Sequence, residues 1–216
     1  MKKIIALLVA GLMMMSFASC VSTEGGNDGS SDIKSNVSAQ KKEISRGKVD
    51  GDTYKNEYFE FEFTKPASWV YSTDEEIAAA MNMSVDLLGD KYEETLKNNT
   101  ALIEMMAIDV TTGTNINIAV ENLAKSFASN ITEEQYVEAL KKQLANVQNM
   151  TIEFSDKTDR INIGGNEFLR ASLTNTVNGV TMTQVYYLRN LDGYMCVITA
   201  TLVSGYDISD IEAMLK

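Results

Sequence analysis

The chain has 216 residues, of which 44% are apolar, enough for one domain of ordinary size around a packed core. Its 30 acidic and 19 basic residues give a net charge of −11, and it contains no histidine. These facts exclude a Ser-His-Asp triad, a Cys-His pair and histidine-ligated zinc, and the acidic balance repels phosphate polymers, so no nucleic-acid partner is expected.

In chain order, Lys2 and Lys3 precede an apolar run from Ile4 to Met15 and the small residues Ser16, Ala18 and Ser19. Charged start, short apolar middle and small residues before a cut are the order of a secretory signal. The run falls short of the roughly twenty residues that span a bilayer, so cleavage is expected instead of a permanent span. The stretch "FASC", residues 17–20, resembles a bacterial lipoprotein box. That resemblance implies that Cys20 becomes the lipidated first residue of the mature chain, with the protein anchored in the cell membrane on its extracellular or periplasmic side. The residues thus divide into a signal at 1–19, a lipidated cysteine and tether at 20–48, and one domain at 49–216. Residues 21–48 are rich in Ser, Gly, Asn and charge without hydrophobic period, the composition of a flexible tether. The tether carries one net positive charge and the signal two, which leaves −14 on the domain.

The domain opens with Phe59, Phe61 and Phe63 alternating with Glu60 and Glu62, the period of a half-buried strand. Asp50 and Gly51 offer a turn before it, and Thr53–Lys55 a short pairing strand. Pro66 ends the strand. Thr73 with Glu76 has capping-box spacing ahead of a helix, as does Thr132 with Gln135 ahead of a helix whose apolar face is Tyr136, Val137, Leu140, Leu144 and Val147. A second short helix is expected over "DKYEETLKNN", and "ALIEMMAIDV" and "NINIAVEN" read as strands joined by "TTGT". Five further strands follow, "MTIEFSD", "DRINI", "NEFLRASLTNT", "VTMTQVYYLRN" and "YMCVITATLV"; "GG", "NG" and "LDG" between the later ones predict an antiparallel meander. "DISDIEAMLK" closes as a helix. Strands grouped in hairpins with separate helices predict an α+β domain: a central antiparallel β-sheet flanked by helices.

"NEYFEFEFTKPASWVYSTDEEI", together with the "GGNEFLRASL" to "YMCVITATLV" hairpins, resembles the PsbP-like domain of small lipoproteins of anaerobic Firmicutes. The resemblance implies a PsbP-like α-β-α sandwich, a fold whose Mog and PsbP members work by contacting a larger protein.

Candidate chemistry is sparse. Glu60 and Glu62 would stand about 6 to 7 Å apart on one strand face, within the separation of glycosidase carboxylate pairs, although any amphipathic strand gives that spacing. Asp50 and Asp52 lack the remaining ligands of a calcium loop. Cys196 reads as a small buried apolar group, Trp69 as a core anchor, and one of Tyr186 and Tyr187 as core. The eight methionines beyond the signal would make an adaptable surface wherever they cluster outside the core. No catalytic, metal or cofactor residue is singled out, so no cofactor is expected. Three functions follow: a non-catalytic binding or accessory module for another envelope protein; a receptor for an extracellular small molecule, sugar or cation, with Trp69 and the tyrosines as contacts; and a carboxylate-dependent glycan hydrolase.

Overall fold

The second half of the chain folds as its turn residues dictate. Gly164-Gly165 and Asp192-Gly193 each take positive φ at both central positions (62° and 84°, 53° and 86°), the twist that joins two strands by a two-residue hairpin turn. The computed structural model describes residues 42–126, 130–145, 151–177, 179–203 and 205–216. It places β8 (Asp159–Ile163), β9 (Asn166–Val177), β10 (Val180–Leu191) and β11 (Tyr194–Leu202) in an antiparallel meander.

That meander is part of an eight-stranded sheet. With β4 (Trp69–Tyr71), β5 (Ala101–Asp109), β6 (Asn115–Asn122) and β7 (Thr151–Phe154), the order is β4-β5-β6-β11-β10-β9-β7, and β8 also pairs with β9. Every pairing is antiparallel. A second, three-stranded sheet joins β1 (Lys48–Asp50), β2 (Thr53–Asn56) and β3 (Phe61–Thr64). Among the described residues the helices are α1 (Asp74–Ala80), α2 (Tyr92–Asn98), α3 (Leu123–Ser126), α4 (Glu133–Leu144) and α5 (Ile208–Met214), with a 3-10 turn at Val85–Leu88. The domain is α+β, an antiparallel sheet with helices packed on it.

Both expected capping boxes are present. Thr73 accepts from the Glu76 amide and Glu76 from the Thr73 amide; Thr132 and Gln135 do the same at α4. Val147, expected on α4, lies outside the described residues.

Alternation along the strands loads both faces of the large sheet. One face carries Leu102, Met105, Ile118, Val120, Val185, Tyr187, Cys196 and Ile198, packed with Tyr54, Phe61 and Phe63 of the small sheet, Tyr92 and Leu96 of α2, and Ile211 of α5. On the other, Leu169, Tyr186, Leu188, Met195 and Val197 pack under Tyr136, Val137 and Leu140 of α4, while Ile103, Met106 and Ala119 pack under Ile77 and Ala78 of α1. Tyr186 and Tyr187 are therefore both core, on opposite faces, because this sheet is covered on both sides where β10 crosses it.

The opening strand is shorter than its alternation predicts. Phe59 and Glu60 lie in the turn before β3, with Glu60 at φ 58°. Phe59 is buried all the same, because its amide donates to Asn56 Oδ1 (2.8 Å) and its carbonyl accepts from Arg189. The packed domain also begins ahead of Val49. Residues Lys42–Lys48, assigned to the tether by composition, lie against the fold, with Ile44 buried. Their side chains find specific partners that composition does not register. Residues 1–41, including the signal and Cys20, lie outside the described residues.

Candidate functional site

A β-bulge on β5 sets the most unusual side chain of the structure. Ile103 pairs with Ala119 and Met105 with Ile118, leaving Glu104 as the extra residue. Such a bulge re-aims its side chain, and here it turns a carboxylate into the interior, where Glu104 is buried. Its Oε2 accepts from the Tyr54 hydroxyl, from Asn56 Nδ2 (2.9 Å) and from the Gly47 amide (3.1 Å), and its Oε1 accepts from the Tyr92 hydroxyl. Burial pushes the Glu104 carboxyl up, and the bonds from Tyr54, Tyr92 and Gly47 pull against it. Burial, and then the Glu104 charge, push both tyrosines well above their ordinary range.

Arg46 completes this corner. Its guanidinium takes Asp74 in a two-pronged bond (2.7 and 2.9 Å), and donates to the backbone carbonyls of Glu104 (2.7 and 3.2 Å) and Leu88 (3.2 Å). That bond to Arg46 holds the Asp74 carboxyl below its ordinary value. A cleft of about 660 Å³ opens beside the network, with Arg46, Lys48, Asp74, Asp90, Glu93 and Glu104 in its walls. Every oxygen of Glu104 is satisfied from within, so the network fastens the segment before β1 to the sheet. Sequence reading missed it; the one signal was Glu104 in the middle of the apolar residues of "ALIEMMAIDV".

Glu121 on β6 is a second buried carboxyl. Its Oε1 accepts from the Tyr136 hydroxyl of α4 (2.7 Å), whereas its Oε2 is buried without a partner. Burial pushes it up to about 7.

The remaining sequence candidates fall as follows. Glu60 and Glu62 do not share a strand face: Glu60 sits in the left-handed turn against Lys42 (3.3 Å), and Glu62 pairs with Lys55 on β2 (3.2 Å). Asp50 ends β1, and Asp52 in the β1-β2 turn binds Lys65 (2.5 Å). Among the described residues, no group of three or more acidic or cysteine side chains could hold a metal ion. Trp69 is buried and donates to the Tyr206 hydroxyl (2.8 Å), which donates to Asp109 (3.1 Å); the indole is a core anchor, not a stacking platform. Cys196 is free and buried, its thiol pushed well up by burial, as an apolar packing role requires. Met81, Met83 and Met106 cluster half-buried around α1.

A last feature lies on the face that α1 and α4 cover in part. Along β6 and β11, Asn117 stands opposite Thr199, and Asn115 opposite Thr201. Two residues on from the covered Ala119 and Val197, they share that face and are half-buried. Ile108 pairs with Asn115 on one side and Val70 on the other, the valine 47% exposed at the β4 edge. On the far side Thr201 accepts from Gln184 (3.2 Å), whose Oε1 accepts from Asn175 (3.2 Å) and the Tyr186 hydroxyl (3.3 Å). None of these side chains is charged.

No protein-family model matches the sequence, and no curated protein matches it. The structure is similar to the solution structure of cyanobacterial PsbP (CyanoP) from Synechocystis sp. PCC 6803, at 10% identity and a TM-score of 0.47 over 85% of this chain and 98% of that one. It is also similar to a crystal structure from Bacteroides thetaiotaomicron VPI-5482, at 12% identity and a TM-score of 0.42; the match covers 78% of this chain and 48% of that one, about half its length.

Proposed function

We propose that this chain is a non-catalytic binding module for another protein of the cell envelope, carried on the membrane by a lipid on Cys20. The observation behind this reading is the uncharged strip of Val70, Ile108, Asn115, Asn117, Thr199 and Thr201. Residues 49–216, with 26 acidic and 12 basic side chains, have charge to spare for every solvated surface, yet leave this stretch of sheet without any. Depletion of charge with a mixture of apolar and hydrogen-bonding groups is the composition of an interface centre. The half-exposed amides and hydroxyls can pair with a partner's polar groups while Val70 and Ile108 supply apolar contact.

Charge introduced into the strip tests the reading. The double variant Asn117→Arg and Thr199→Glu should retain the fold while losing co-purification of its envelope neighbour from solubilised membranes. Lys157→Glu, on the β7-β8 loop, should keep it. Equal recovery from both would remove the strip from the account.

A further inference from the structure

The segment Ile44–Gly47 is held in the manner of a bound peptide. It belongs to no strand or helix, and side chains fix it. The Arg46 guanidinium is seated in a cradle of the Asp74 carboxylate and the carbonyl oxygens of Leu88 and Glu104. Gly47 donates its amide to the Glu104 carboxylate (3.1 Å), and a Cβ at this position would overlap the Tyr54 ring, so the cradle accepts only glycine after the arginine. Ile44 is buried with the core cluster that holds Tyr58 and Tyr92, and with Glu93 it lines two clefts, of about 660 and 320 Å³. Arginine, glycine and an apolar residue two places before the arginine are thus each read by a separate feature. The surroundings add complementary charge, since Asp74, Asp90, Glu93 and Glu104 line the first cleft, and a planar two-pronged carboxylate is the preferred partner of a guanidinium.

We infer that residues Lys42–Gly47 are an autoinhibitory strap, occupying in cis a groove whose other occupant is an extended, basic segment of a partner protein with the pattern apolar-x-Arg-Gly. The strap leaves when such a segment takes the cradle, and it then lengthens the tether by the residues it releases. This site is separate from the uncharged strip, and either can fail without the other.

The probe is a fluorescein-labelled peptide with the sequence of residues 42–48, Lys-Glu-Ile-Ser-Arg-Gly-Lys, followed by anisotropy against the full chain. Arg46→Ala empties the cradle and should bind the peptide at least tenfold more tightly than the wild type, whose own strap competes. Peptides with Arg46→Ala or Gly47→Ala should lose at least tenfold of that binding, as should the chain with both Arg46→Ala and Asp74→Asn. A folded Arg46→Ala chain that ignores the peptide, or binds the peptide lacking arginine equally well, would overturn the inference. Hydrogen exchange on the wild-type chain decides independently of that variant's folding. The Gly47 amide should exchange faster than core amides of β10 such as Val185, and exchange at the same rate would make the strap a fixed part of the core.

Discussion

Glu104 accepts four donors inside the protein, and its replacement tests what they hold. In Glu104→Gln one acceptor oxygen becomes an amide nitrogen that can only donate: in place of Oε2 it meets the Asn56 and Gly47 N–H groups head-on, and in place of Oε1 it forces the Tyr92 hydroxyl from donor to acceptor. A buried hydrogen-bonded charge lost in this way costs about 2–3 kcal/mol, so the urea midpoint should fall at unchanged slope. A loss below about 1 kcal/mol would mean that the network is not fixed as described. Glu121 makes a prediction of opposite sign to that of most carboxylates. Its carboxyl titrates at about 7 in the fold against an ordinary value of 4.5, so between those pH values the folded chain holds a proton that the unfolded chain has released. The stability it contributes is complete below pH 4.5 and drains away as pH rises to 7, by about 3 kcal/mol at most. Glu121→Gln should therefore flatten the descent in this window, measured as unfolding free energy against pH, and should be more stable than the wild type at pH 8. An unchanged profile would refute the assignment of this burial to Glu121.

At the scale of elements, short-range chemistry was legible and long-range chemistry was not. The boxes at Thr73 and Thr132, the turns at Gly164-Gly165 and Asp192-Gly193, and the strands on either side of those turns each depend on residues within a few positions of one another. The α4 cap gives a direct check: Thr132→Ala should cost about 1 kcal/mol in thermal or denaturant unfolding, and no measurable loss would show that Gln135 and Glu133 hold the helix start without it. The Glu104 cage, in contrast, joins residues 57 and 48 positions apart, and no local period announces it. Phe59 and Glu60 misled because hydrophobic alternation records burial, and a turn pinned by Asn56 and Arg189 buries Phe59 as well as a strand would. The 3-10 turn at Val85–Leu88 and the four residues of α3 are too short to show a helical period. Lys42–Lys48 reads as tether by composition, yet Arg46 alone has three groups of acceptors waiting on other elements.

Among the described residues of the whole molecule, the large sheet has one face closed by the small sheet, α2 and α5, and the other closed in part by α1 and α4. The binding-module reading rests on the remainder of that second face, and the most direct test is a photoreactive residue at position 117, crosslinked in native membranes and followed by mass spectrometry. One recurrent envelope protein should be captured from position 117 and little or nothing from position 157, and the capture should be lost when Cys20→Ala frees the chain from the membrane. A folded, membrane-retained chain that captures no recurrent neighbour from position 117, or the same neighbours equally from position 157, would contradict the binding-module reading.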